Sequence, residues 1–240
     1  MNSMVQIDKL QKQFGKKEVL HQFTLTLENK NYWLLGANGS GKTTLFRIIV
    51  GLEKSNGGSI TADKGEKKLR IGYLPQKFGA FPYLTVEEQL CYFARLKTQK
   101  NDGIDWTTEV DSAIKLVHLE EQRKQKCKAL SGGMVRRLGI AQAIIGRPDL
   151  ILLDEPTVGL DIEERMRFQK ILENIRGQQP VLVSTHILDD ISPDDDEIVI
   201  INHQQVAFHG SAAEIANFSK SSPPTLQGGY LQILERDRHE

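Results

Sequence analysis

The sequence predicts an α/β fold, with strands near its start and an α-helical subdomain inserted between αβ segments. Three features predict it. Residues 150–153 and 181–185 are almost wholly apolar runs that lead into Asp154 and His186, as parallel strands buried on both faces do. A third apolar run, residues 32–35, leads through a glycine-rich loop into Leu45, Ile48, Ile49 and Leu52 at helical spacing. Residues 85–146 carry helical stripes instead of strands.

Residues 4–35 read as strands, with Phe23, Leu25 and Leu27 alternating with polar neighbours. Gly51 stops the first helix, and residues 69–74 form another strand running into Pro75 and Gln76. Thr85 with Glu88 makes a capping-box start for a helix carrying Leu90, Phe93 and Ala94 on one face. Val110, Ala113, Ile114 and Val117 form a second stripe. Ser131 opens a third helix with Leu138, Ala141 and Ile145, which stops before Pro148. Residues 197–202 and 206–208 read as a hairpin, and the segment from Ser219, SKSSPPTLQGG, as loose. No long linker flanks the helical block, so one domain over 1–218, with the insertion at about 85–146 and a tail over 219–240, is the expected organisation.

The chain has 240 residues, 39% hydrophobic and 26% charged, enough for a packed core and a solvated surface. Lys+Arg and Asp+Glu both total 31, so no basic excess points to nucleic acid as a partner. Cys91 and Cys127 lack a metal-ligand spacing and read as free thiols in a reducing compartment. The opening residues lack the apolar core of a signal peptide, and no stretch approaches the ~18 apolar residues of a spanning helix. Attachment to a membrane would then fall to another subunit.

The chemistry is concentrated in three motifs. Gly36, Ala37, Asn38, Gly39, Ser40, Gly41, Lys42 and Thr43 fit the phosphate-binding P-loop at every fixed position, and Thr44 extends the nucleotide-binding segment. Glycines let successive N–H groups face phosphate oxygens, and the following helix adds its positive end. Lys42 is placed to reach the β- and γ-phosphates and Thr43 to offer a hydroxyl to Mg²⁺. The second motif, Leu150 to Pro156, delivers adjacent carboxylates: Asp154 suits Mg²⁺ coordination and Glu155 suits polarising the attacking water. Taken alone, Asp154 also fits a strand-end turn and Glu155 a surface acid before proline. An Asn-Lys-x-Asp base-reading pattern of GTPases is absent, since Asn29-Lys30 is followed by Asn31-Tyr32.

The third motif is Leu130-Ser131-Gly132-Gly133-Met134. Small residues at a helix start make a second anion site, of backbone N–H groups and the Ser131 hydroxyl. One nucleotide does not need two such sites from one chain. Reciprocal use, with this segment closing over a nucleotide held by a second copy, resolves the excess. The segment by itself also fits a helix N-capped after a glycine turn.

The combination GANGSGKT, LSGGM and ILLDEP, in this order, resembles the ABC ATPases from about residue 4 to 218. The resemblance implies a P-loop NTPase core with an antiparallel β-subdomain and an inserted helical subdomain, ATP and Mg²⁺ as ligands, and hydrolysis in a dimer, feasible as a homodimer. It implies a Q-loop role for Gln76, at Mg²⁺ and toward a membrane partner. Gly159-Leu160-Asp161 resembles the D-loop that crosses the dimer interface, and His186 the switch histidine that contacts the γ-phosphate. Phe14 falls where the family places an aromatic ring against adenine. Taken singly, Gln76 also fits a solvated loop, His186 a core histidine and Phe14 a hairpin core residue.

Met134 stands where the family more commonly has glutamine, and Gln204 where relatives often have a turn glycine. LSGGM with RRLGIAQA, and GLDIEER, are most similar to the ATPases of bacterial exporters. The expected protein is therefore the ATP-hydrolysing subunit of an exporter, cytoplasmic and peripheral on the inner face of the membrane through an integral-membrane subunit. Phe78, Phe81, Tyr83 and Leu84, clustered beyond Gln76, are expected to divide between this chain's own helices and a groove for that subunit. The rival readings are an ATPase acting on ribosomes, which usually has two such domains per chain, a DNA-repair ATPase with a coiled-coil insertion, and a nucleotide-holding module without turnover.

Overall fold

The computed structural model describes residues 4–62, 69–97, 103, 105–191 and 197–236. Two compact units share the chain: Met1–Lys67 with Arg176–Glu240, and Lys68–Ile175.

In the first unit, β1 (Val5–Phe14) pairs antiparallel with β2 (Lys17–Leu27) and β4 (Gly57–Ala62). The predicted alternation holds, since Phe23, Leu25 and Leu27 are buried together with Val5 and Ile7. A second group is built on β3 (Asn31–Leu35), fully buried and parallel to both β7 (Val181–Ser184) and β8 (Glu197–Asn202). β9 (Gln205–Ser211) closes the predicted hairpin on β8. Its turn places His203 and Gln204 at φ 43° and 66°, left-handed values that favour glycine. The missing turn glycine thus leaves the geometry in place, and the Gln204 carbonyl accepts a hydrogen bond from the His21 amide at 2.9 Å. Helix α1 (Lys42–Ile49) follows β3.

The stretch expected to be loose holds a helix, α7 (Leu226–Arg236), beyond the short α6 (Ala212–Ala216). Ile233 is buried and Tyr230 half-buried. A side chain at Gly229 would collide with the Ile215 carbonyl of α6. The glycine is there so that two helices approach closely, a contact the local sequence does not announce.

The second unit pairs β5 (Ile71–Leu74) in parallel with β6 (Leu150–Asp154). Around them lie α2 (Val86–Lys97), α3 (Trp106–Leu116), α4 (Gly132–Ile144) and α5 (Ile162–Ile175). The predicted capping box is formed: Thr85 N donates to Glu88 Oε2 at 2.7 Å, and Glu88 N to Thr85 Oγ1 at 3.2 Å. The apolar stripe Val110, Ala113, Ile114 and Val117 is buried as expected. Helix α4 packs against β5, β6, α2 and α3, so it is apolar on several sides: Leu138, Ile140, Ala141 and Ala143 are all buried. The segment 85–146 therefore shares a unit with β5, β6 and α5.

Candidate functional site

In the first unit the buried strand β3 ends at Leu35 and α1 starts at Lys42, so Gly36–Gly41 must turn within one short loop. Gly41 caps α1 at φ 106°, and a Cβ there would lie 2.8 Å from the Val19 carbonyl, which excludes other residues on both counts. No side chain caps α1 and its first turn carries no acid, leaving a helix N-terminus suited to an anion. Lys42, only 7% exposed, curls back over the loop and donates to the Gly36 carbonyl at 2.6 Å and the Ala37 carbonyl at 3.2 Å. The Ser40 hydroxyl is buried without a hydrogen-bond partner among the described residues. Ala37, Asn38, Gly39 and Thr43 are exposed. A preformed, cationic, donor-lined loop with an unsatisfied hydroxyl is what a polyphosphate requires.

Phe14 ends β1 with 47% of its surface exposed, which removes it from the hairpin core. The Lys12 ammonium sits 4.5 Å from its ring centroid and is itself held by Glu53 at 2.8 Å and the Lys54 carbonyl at 2.7 Å. His186 follows β7 and is exposed, so it is not a core histidine.

The second unit carries the acids. The parallel register Leu74↔Leu153 brings the ends of β5 and β6 together, so Gln76 and Glu155 leave the same sheet edge. The Gln76 side-chain amide donates to Glu155 Oε2 at 3.1 Å. Asp154 is 1% exposed, while Glu155 sits at φ 47°, a left-handed value that costs a non-glycine residue about 1–3 kcal/mol. Its backbone is tied down by Arg136 of α4, whose guanidinium donates to the Glu155 carbonyl at 2.7 Å and the Pro156 carbonyl at 3.1 Å. The same group donates to the carbonyls of Gln76 at 2.9 Å and Pro75 at 3.2 Å. Sequence reasoning missed Arg136; the paired arginines after the glycine motif are the only trace of it.

Ser131 N-caps α4, its hydroxyl accepting from Met134 N at 3.2 Å. Gly132 is exposed and a Cβ there would meet open space. Gly133 is buried, and a Cβ there would fall 2.5 Å from the Glu164 carboxyl carbon. Glu164 in turn pairs with Arg137 at 3.1 Å. Asp161 accepts from Glu164 N at 2.9 Å and so N-caps α5. Of the aromatic cluster beyond Gln76, Phe78 lies against Gly139 of α4, whereas Phe81 and Tyr83 are 44% and 73% exposed. Phe81 stacks on Phe93 of α2 with centroids 5.9 Å apart. Beside them Glu87, Glu88, Cys91, Tyr92, Arg95 and Leu96 line a hollow of about 530 Å³.

The proposed metal donors, Thr43 hydroxyl, Gln76 amide and Asp154 carboxylate, are hard oxygen ligands, the chemistry that suits Mg²⁺. Among the described residues there is no group of three or more His, Cys, Asp or Glu able to hold a metal. The oxygens of Gln76 and Asp154 in the second unit, and that of Thr43 in the first, are each of a kind that suits Mg²⁺, which is commonly bound through one or two carboxylates together with phosphate oxygens and water.

The sequence profile of the family described as ABC transporter matches residues 20–158. An uncharacterized ABC transporter ATP-binding protein, YdbJ of Bacillus subtilis, is 37% identical over 213 residues, covering 85% of this chain and 68% of its own. The spermidine/putrescine import ATP-binding protein PotA of Haemophilus influenzae is 30% identical over 221 residues, 88% of this chain, and this chain spans 59% of its length. A bacterial Atm1-family ABC exporter solved with ATP bound shares the fold at a TM-score of 0.76 and 21% identity, over all of this chain and 42% of that one. The profile match over more than half of the chain, and the relatedness to YdbJ along most of both chains, lead to one conclusion: this protein belongs to the ABC transporter family and carries its ATP-binding, ATP-hydrolysing domain.

Proposed function

We propose that the chain works as the motor of a membrane exporter, hydrolysing ATP in a dimer of two such chains. The observation that carries the hydrolytic part is the Gln76–Glu155 hydrogen bond beside the buried Asp154, with Glu155 in a strained backbone conformation. Phe14 stacks on adenine, and Gly36–Thr44 wrap the phosphates. Lys42 turns from loop carbonyls to the β- and γ-phosphates. Thr43, Gln76 and Asp154 would hold Mg²⁺, which would neutralise developing phosphate charge. Glu155 polarises the attacking water, and His186 contacts the γ-phosphate. Ser131, Gly132 and Gly133 of the second copy close over the nucleotide, with Asp161 at the interface between copies.

Glu155→Gln tests the chemistry. Turnover should fall by ~10²–10⁴, the range for loss of a general base, while ATP still binds and a stable ATP-bound dimer accumulates. Hydrolysis at the wild-type rate would remove Glu155 from the mechanism.

No helix among the described residues is long and apolar enough to cross a membrane. A membrane subunit supplies the attachment, on the cytoplasmic face, and exposed Phe81 and Tyr83 beside the hollow along α2 support docking of a short helix from it. Replacing both with Ser should leave basal ATP hydrolysis within about two-fold and abolish co-purification with membranes; sedimentation with membranes as in wild type would move the dock elsewhere. Export rests on the resemblance of LSGGM, RRLGIAQA and GLDIEER. In proteoliposomes with the membrane subunit, ATP outside should drive solute inward, and dependence on an extracytoplasmic solute-binding protein would reverse the direction.

A further inference from the structure

We infer that Arg136 is the positioning residue of the hydrolytic step: from α4 it fixes the backbone from which Gln76 and Glu155 project. The inference rests on the proposed role of Glu155 in polarising water.

Four hydrogen bonds of the guanidinium all end on backbone carbonyls, those of Pro75, Gln76, Glu155 and Pro156. They come from two loops that follow two neighbouring strands and flank one hydrogen-bonded pair of side chains. Burial pushes the guanidinium below the usual arginine range, opposed by the Asp154 and Glu155 carboxylates nearby. Desolvating a cation in order to hold carbonyls is costly unless several bonds are made at once. Only the planar fork of arginine supplies that many donors in fixed directions; lysine offers one nitrogen.

The strain at Glu155 gives the fork its use. A glutamate at φ 47° relaxes unless its surroundings prevent it. The Glu155 carbonyl, on the same residue, is pinned at 2.7 Å. The Gln76 carbonyl is pinned at 2.9 Å by the same guanidinium, so the two backbones keep one separation. The adjacent Arg137 serves a different purpose. It donates to the carbonyls of Val117 and His118 at the end of α3 and pairs with Glu164. Of the two arginines, only Arg136 reaches the loops of the hydrolytic pair.

The test uses the full chain with Arg136→Lys, Arg136→Gln, Gln76→Ala and the Gln76→Ala/Arg136→Gln double variant, read by steady-state ATPase rate and by ATP titration. Loss of the fork should lower kcat by about 10–100-fold, the scale of an ångström-sized misplacement, with ATP affinity changed less than about three-fold. The double variant should be no slower than the slower single variant, because both changes act on one geometry. A kcat within about two-fold of wild type in Arg136→Lys, or multiplicative losses in the double variant, would overturn the inference. Equal loss of ATP affinity and kcat in both Arg136 variants would also overturn it, making Arg136 a support of the fold. Glu155→Gln separates the two readings: if it retains wild-type turnover, the role of Glu155 itself fails; if it is inactive while Arg136→Lys is unimpaired, only the role of Arg136 fails.

Discussion

Each unit contains a helix that starts from a glycine-bearing loop, and the two starts differ in the charge placed beside them. At α1 the cap is Gly41, no side chain takes a helix N–H, and Lys42 lies over the loop. At α4 the cap is Ser131, its hydroxyl already accepts from Met134 N, and Glu164 covers Gly133. A cation beside an uncapped N-terminus attracts a polyphosphate unaided. A capped N-terminus backed by a carboxylate, even one paired with Arg137, does so weakly. The same local pattern thus yields one end suited to hold a polyphosphate and another that fits the proposed role of closing over a nucleotide already held.

The strongest way to break this contrast is a carboxylate at the α4 start. Gly132→Asp enters open space, so the chain should fold and bind ATP while hydrolysis falls at least about 10²-fold, because in the proposed dimer the acid would face the γ-phosphate held by the second copy in a dry interface. Gly133→Asp meets Glu164 within its own chain and should also lower the melting temperature. Retained hydrolysis in Gly132→Asp would mean that the α4 start does not contact nucleotide.

The next effect belongs to the first unit. Phe14→Ala should weaken ATP and GTP alike by ~1–3 kcal/mol, the range of base–aromatic stacking, because a ring face reads no hydrogen-bond pattern. Fluorescence titration with both nucleotides measures it. Unchanged affinities would leave the exposed ring, with Lys12 on one side, without a role at the base.

The smallest effect tests how α4 is held. Lys97 of α2 donates to the Gln142 carbonyl of α4 at 2.5 Å, and burial pushes its ammonium down to about 8 from 10.5. Between those values the unfolded chain binds more protons than the folded one, so this group makes stability rise with pH. Below pH 8 both states are protonated and the slope vanishes. Relative to Lys97→Met, wild type should therefore gain about 1–2 kcal/mol between pH 7.5 and 9.5, read as denaturant midpoints. Parallel curves would place the amine in water.

Much of the site was legible because its motifs are local. A strand, a glycine loop and a helix follow one another in Tyr32–Ile49, and the loop needs only backbone geometry and Lys42 to work. Phe14 and His186 were legible only through family resemblance, and their exposure decided between ring or imidazole in the core and at the surface. Helix α5 and strand β4 lack a sharp local signal: Ile162 and Met166 lie on the exposed face of α5, which blurs its apolar stripe, and β4 is glycine-rich and half-exposed. Asp161 read as an interface residue, and its N-cap bond to Glu164 adds a local task to the same carboxylate.

A phosphate loop, the Asp154–Glu155 pair, the Ser131–Gly133 helix start and an α/β frame to carry them can all be read along the chain. Short motifs encode such things because backbone conformation and neighbouring side chains suffice for them. What lies against each motif comes instead from packing between distant segments. Arg136 reaches carbonyls about 60 residues earlier and about 20 later in the chain, Glu164 covers Gly133, and Gly229 admits α7 to α6. These contacts join segments brought together by burial of the apolar faces around them, and burial is non-directional; which polar group meets which carbonyl is settled by packing.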